Sequence, residues 1–175
     1  RLVLVGGLSG TGKTAVSRAL APLIGGPSGA VHLRTDLERK MIHTSEVNLG
    51  VPSDEYSVAS REAVYDRMFS RAGAILSAGH SVLLDATFLD ANLRTSAQNL
   101  AKAADVACHT LWLEAPLSIL IDRVKARQGD ASDADEHVVR KQLKSGGPPS
   151  DWQRISAEGS LQDTVEAAQA AVQRA

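Results

Sequence analysis

The chain has 175 residues, enough for one ordinary domain with a mobile flap and too few for two. Its 43% apolar and 22% charged residues exclude a disordered or fibrous chain. Its formal net charge of −1 excludes a general polyanion-coating surface while leaving room for a local basic pocket. Aromatics make up only 3%, so a core built mainly from Ala, Leu, Val and Ile is expected. The single cysteine, Cys108, excludes an internal disulfide and a clustered-cysteine zinc site, and its apolar surroundings predict a buried thiol in a reducing compartment. The opening apolar run, Leu2 to Val5, is far shorter than the ~20 residues of a membrane span, and no signal-peptide cleavage site follows it. A soluble cytoplasmic protein without a membrane partner is the expectation. The chain starts abruptly on strand-like residues, as a piece excised from a longer polypeptide would.

In chain order, Leu2–Val5 predicts a strand covered on both faces, followed by a helix from Lys13 to about Ile24 that stops at Gly25-Gly26-Pro27. Ala30–Arg34 predicts a second strand, with a short helix from Asp36 toward Ile42 and a loop over His43–Ser53. Asp54–Ala78 carries Val58, Val64, Met68, Ile75 and Leu76 near helical spacing and closes at Gly79. A third strand is predicted at Ser81–Asp85, then a helix over Asp90–Ala104 with Asp90 as its N-cap. Ala107–Leu113 reads as a fourth strand, and Pro116 opens a helix toward Arg127. Gln128–Asp135 is small, acidic and flexible in composition and predicts a mobile loop. A short amphipathic helix over Glu136–Lys144 is broken by Gly146-Gly147-Pro148-Pro149. A weak fifth strand near Arg154–Ala157 and a helix from Leu161 complete the series. Such alternation implies an α/β fold with a parallel sheet and helices on both faces.

Gly7-Leu8-Ser9-Gly10-Thr11-Gly12-Lys13-Thr14 fits G-x-x-x-x-G-K-[ST] between an apolar strand and a helix. The glycines let backbone N–H groups converge on phosphate oxygens, and the helix adds its positive end at the same point. Lys13 would reach the β- and γ-phosphates of a nucleoside triphosphate, and the Thr14 hydroxyl would take a place on Mg2+. Asp36 follows the second strand, where ligands of a parallel sheet gather, and could take the proton of an acceptor hydroxyl; it could equally cap its helix. Asp85 ends the third strand, where it would serve the metal or the acceptor. Arg123 and Arg127 lie four apart on one helical face beside the acidic loop, suited to the γ-phosphate or to an adenine ring. Arg34, Arg39 and Arg94 are candidates for holding the acceptor. The five histidines have no ligand spacing, His109 in its strand is expected to be structural, and no Gly-x-Ser-x-Gly elbow supports acyl transfer.

The phosphate loop, Arg34-Thr35-Asp36 with Arg39, Leu84-Asp85-Ala86-Thr87-Phe88 followed by Arg94, and Arg123 with Arg127 resemble the P-loop kinases of the AAA-type ATPase group. That group includes polynucleotide 5′-kinases and zeta-toxin-like and gluconate-kinase-like enzymes, and the similarity is to kinase-like domains found alone or fused to aminoglycoside-phosphotransferase-like domains. It covers almost the whole chain and implies a three-layer P-loop NTPase fold. Five parallel strands in nucleoside-monophosphate-kinase order and a small helical lid over about 123–147 belong to that expectation. It further implies that Asp36 is the general base, Arg39 contacts an acceptor phosphate, Arg123 and Arg127 serve adenine and the transferring phosphate, and the Ser156–Ser160 loop touches the nucleoside. The expected activity is transfer of a γ-phosphate from ATP (or GTP), with Mg2+, to a hydroxyl of a small molecule, with Lys13, Asp36 and Arg127 catalytic. Two alternatives stand beside it: a polynucleotide 5′-hydroxyl kinase, disfavoured by the lack of interleaved basic and aromatic residues, and a nucleotide-binding regulatory module with slow hydrolysis.

Overall fold

A computed structural model of the protein describes residues 1–48, 58–126 and 136–174, and its organisation starts from one short apolar run. Every residue of strand β1 (Leu2–Gly7) is buried. Such burial requires neighbours on both edges and helices on both faces. β3 (Ser81–Asp85) and β4 (Cys108–Glu114) flank it, with β2 (Ala30–Arg34) outside β3 and β5 (Gln153–Ser156) outside β4. The strands pair in parallel throughout, in the order β2-β3-β1-β4-β5. The helices are α1 (Lys13–Leu20), α2 (Thr35–Asn48), α3 (Val58–Ser77), α4 (Ala91–Ala103), α5 (Leu117–Lys125), α6 (Glu136–Ser145) and α7 (Leu161–Gln173).

The two-residue period of the strands divides the core into two layers. Leu2, Leu4, Val82 and Leu84 face α3 and α4, meeting Met68, Ala72, Leu76, Ala97 and Ala101. Val3, Val5 and Leu83 face the other way, onto Val16 and Leu20 of α1 and Ala168 and Val172 of α7. The α/β architecture and its five parallel strands are those expected. Asp90 caps α4 by accepting from the Asn92 N–H, and Pro116 immediately precedes α5.

Three details differ from expectation. α1 ends at Leu20 and passes into a 3-10 turn over Ala21–Leu23, because Pro22 cannot donate to an α-helical ladder. α2 does not end near Ile42 but continues to Asn48, since no glycine or proline interrupts the chain between them. The rest of the loop expected over 43–53, the start of the following helix, the loop expected over 128–135 and Arg127 lie outside the described residues.

The third difference concerns aromatic packing. Five of the six aromatic residues form a continuous row in one layer: Phe69–Tyr65 at 5.7 Å between ring centres, Tyr65–Phe88 at 6.0 Å, Phe88–Trp152 at 5.3 Å and Trp152–Trp112 at 6.2 Å. Scarcity in the composition concealed their concentration. Cys108 is half-buried, and burial pushes its thiol up to about 11, so it stays protonated at neutral pH.

The aromatic row reaches the backbone at Gly6, where a Cβ would stand 2.7 Å from Trp152 Cζ3 and 3.0 Å from Trp112 Cε3. Gly6→Ala should therefore destabilise the fold by ~1–3 kcal/mol through overpacking, read as a lower urea midpoint. An unchanged midpoint would show that the tryptophan pair moves aside without cost.

Candidate functional site

The loop between β1 and α1 is shaped by its glycines and by one carbonyl. Gly10 has φ 89°, and a Cβ there would lie 2.6 Å from the Leu120 carbonyl oxygen of α5, so only glycine fits. Gly12, at φ 84°, is the N-cap of α1 and supplies no side-chain cap; the first turn holds no acid either. The amides that open α1 are thus left for an external anion. The Leu8 carbonyl accepts from the Thr11 N–H at 3.3 Å, the Thr11 hydroxyl at 2.8 Å and Lys13 Nζ at 2.9 Å. The Lys13 ammonium is in this way held inside the loop that it would serve.

Asp85 stands at the end of β3, in register with Val5 of β1 and Arg34 of β2. Its Oδ2 accepts from the Thr14 hydroxyl at 2.7 Å, with His32 Nε2 at 3.4 Å and Arg34 Nε at 3.6 Å. Burial opposes ionisation of this carboxyl, but the His32 hydrogen bond, the Lys13 charge and the Thr14 hydroxyl outweigh burial and hold it below the usual carboxylate range. The stability this group contributes is therefore present above the ordinary carboxyl pKa and lost as pH falls through the lowered value.

Across the end of β2, α2 brings Asp36 and Arg39 together at 3.4 Å, one turn apart. Between them in sequence lies Glu38, 1% exposed, which pairs with Arg67 at 2.8 Å and with Arg71, both on α3. This buried carboxylate joins α2 to α3 and so fixes the wall that carries Asp36. The sequence reading missed it; an acid two residues from Asp36 and two arginines four apart on one helix were the available signal.

α6 closes another side. Its Val139 is fully buried with Leu8, Leu120 and Val124. Gln142, one turn further on, accepts from the Ser9 N–H at 2.8 Å and donates to Ser9 Oγ at 3.1 Å. Together these walls enclose a cleft of about 590 Å³ in which Ser9, Lys13, Thr14, Asp36, Arg39 and Asp85 all take part. Arg61, Tyr65, Lys141 and Gln142 also line it and were not singled out in the sequence. The buried Tyr65 hydroxyl hydrogen-bonds with the Thr87 side chain and the Phe88 backbone.

The other candidates stand elsewhere. Arg34 is buried against Asp85 rather than lining the cleft. Arg94 donates to the Phe88 and Leu89 carbonyls at 2.8 and 2.9 Å, bracing a turn in which Phe88 holds φ 49°. Arg123 lies on α5 outside the cleft lining, and Ser160 of the predicted nucleoside loop caps α7 in a capping box with Asp163. Among the described residues no group of three or more His, Cys, Asp or Glu could hold a metal by itself. The Thr14 hydroxyl and Asp85 carboxylate nevertheless offer two hard oxygens beside the cradle. That suits Mg2+, which binds through one or two protein oxygens plus phosphates.

A glycine-rich loop closing on a helix N-terminus at the end of a central parallel strand, with an acid at the end of the next, defines a P-loop nucleotide-binding fold. Residues 2–149 match the family model described as AAA domain, and the chain belongs to that family. It is 37% identical over 143 residues to the Uncharacterized protein Rv2004c of Mycobacterium tuberculosis, a match covering 79% of this chain and 28% of that protein. The chain thus spans little more than a quarter of the curated relatives' length. A sugar kinase from a Janibacter species is similar with a TM-score of 0.72 at 20% identity, covering 99% of this chain and 94% of that one. The APS kinase CysC of Mycobacterium tuberculosis, solved with AMPPNP and APS, is similar with a TM-score of 0.70 at 16% identity, covering 99% and 97%. At these identities the likeness is one of fold, and that fold is the P-loop kinase type expected from the resemblance.

Glu38→Gln removes the charge that Arg67 and Arg71 share. Both arginines are 43% exposed and can rehydrate, so the cost should be ~1–2 kcal/mol, below the ~3–5 kcal/mol of fully buried pairs. Chemical denaturation reads this directly. Unaltered stability would mean that the pairs merely accompany α2–α3 packing.

Proposed function

We propose that the protein is an ATP- (or GTP-) and Mg2+-dependent phosphotransferase that moves the γ-phosphate to a hydroxyl of a small molecule, with Asp36 as general base. The observation that carries this reading is a single cleft shared by Lys13 and Thr14 of the phosphate loop and by Asp36 in the first turn of α2. In the reaction, the acceptor oxygen forms a bond to the γ-phosphorus as the bridging bond to the β-phosphate breaks. The acceptor proton passes to Asp36, and the nucleoside diphosphate leaves. Lys13 would exchange the Leu8 carbonyl for β- and γ-phosphate oxygens. Mg2+, when bound, neutralises phosphate charge, and Thr14 with Asp85 are the groups this chain offers it. Arg127 and Arg123 are retained for the developing charge and the base on sequence grounds.

Arg39, Arg61 and Lys141 line the same cleft as Asp36. Their charge supports an acceptor that carries a carboxylate or phosphate besides the reacting hydroxyl. Tyr65 is the one Phe, Tyr or Trp among the described lining residues and is 4% exposed, so it offers a nucleic-acid end no stacking face. The half-buried, protonated Cys108 thiol and the proposed use of a nucleoside triphosphate fit a cytoplasmic setting. Among the described residues, no helix is long and apolar enough to cross a membrane.

The test is nucleoside diphosphate release with matched neutral polyols, sugar acids, sugar phosphates and short oligonucleotides as acceptors. Asp36→Asn should leave triphosphate affinity nearly intact and lower acceptor-stimulated turnover by ~10²–10⁴. Lys13→Met should weaken both binding and turnover. Unchanged turnover in the Asp36 variant removes it from the mechanism, and no stimulation by any hydroxyl compound favours a slow-hydrolysis module.

A further inference from the structure

Helix α6 reaches the phosphate loop through one carboxamide, whose oxygen occupies a main-chain amide of the cradle, that of Ser9, at 2.8 Å. A phosphate oxygen is the acceptor to which such an amide would otherwise donate. Neighbouring groups identify which end of the cradle this is. Lys13 Nζ is bonded to the carbonyl of Leu8, the residue before Ser9, and a P-loop lysine serves the β- and γ-phosphates. The Ser9 amide therefore lies on the β- and γ-phosphate side of the cradle, and we assign it to the γ-phosphate. The carboxamide is doubly engaged there, its Nε2 donating to Ser9 Oγ at 3.1 Å. Val139 packs α6 onto Leu8 one turn away, and Lys125 on α5 pairs with Glu136 at 2.7 Å at the start of α6. The helix is thus registered against the loop, and Lys141, beside Gln142, faces the cleft with it.

We infer that Gln142 is a positioning residue that competes with the γ-phosphate for the Ser9 N–H, so that α6 and the Lys141 wall of the cleft respond to a bound triphosphate but not to a diphosphate. The inference rests on the triphosphate reading above and deepens it. A phosphate oxygen makes a charge-assisted bond to the amide and displaces a neutral one, while the half-buried Gln142 side chain is near enough to solvent to be rehydrated. A diphosphate ends short of this amide and leaves the Gln142–Ser9 pair in place.

Calorimetric titration of the full chain with Mg2+ and either ADP or AMPPNP tests this on the wild type, Gln142→Ala, Gln142→Met and Gln142→Glu. Gln142→Ala should tighten AMPPNP by about 3- to 10-fold and leave ADP unchanged, the size of one net hydrogen bond. Gln142→Met, which keeps the bulk, should do the same and covers the case in which the alanine variant folds poorly. Gln142→Glu places a carboxylate on the amide and should weaken AMPPNP at least tenfold more than ADP. Equal changes for both nucleotides, or looser AMPPNP binding in the alanine and methionine variants, would reduce Gln142 to a structural clasp and overturn the inference. If the wild type binds neither nucleotide, the triphosphate reading itself fails. Binding of both without any Gln142-dependent discrimination sinks this inference alone.

Discussion

The Asp85 carboxylate, buried at the end of the strand that pairs with both β1 and β2, gathers Thr14 from the phosphate loop and His32 and Arg34 from the neighbouring strand. Those groups reach it because parallel strands end together; burial opposes its ionisation, and the His32 hydrogen bond, the Lys13 charge and the Thr14 hydroxyl hold it below the usual carboxylate range. One charge thus fixes the first helical turn after the loop relative to β2, whose next residue, Thr35, also bonds the Asp85 carbonyl at 3.5 Å. Asp36 follows at once. In the proposed reading this arrangement sets the separation between a phosphate chain and Asp36, with the Lys13 ammonium held on the Leu8 carbonyl beside it.

Around that hub the remaining polar groups act as braces. Glu38 ties α2 to α3 with two arginines, and Arg94 holds two carbonyls of the strained turn at Phe88. Beneath them the aromatic row fills one layer from Phe69 to Trp112. Rings are stiff and bury large areas, and Tyr65 joins this row to the lining of the cleft. Arg39, Arg61 and Lys141 line the same cleft.

The phosphate loop and the strands were legible because each rests on local chemistry: glycines at fixed offsets, apolar runs of strand length, caps such as Asp90. Asp36 and Asp85 were legible as acids at strand ends. What escaped depends on contacts between distant segments. Gln142 and Ser9 are 133 positions apart, and a glutamine on an amphipathic helix looks like any solvated one. Arg94 and Arg34 carried a local pattern of positive charge, yet one bonds a turn and the other a buried acid, outcomes that only packing decides. The helix expected from Asp36 toward Ile42 is too short because that reading extends the stop chemistry of Asn48-Leu49-Gly50 back to His43 as a loop, although a stop signal acts only where it stands.

The most direct measurement is a crystal structure with Mg2+, AMPPNP and an acceptor-like polyol carboxylate. The account predicts the terminal phosphate between Lys13 and Asp36, with an acceptor hydroxyl roughly 3 Å from each reacting partner. A triphosphate bound with its terminal phosphate turned away from Asp36, or an acceptor whose hydroxyl meets no carboxylate, would contradict it.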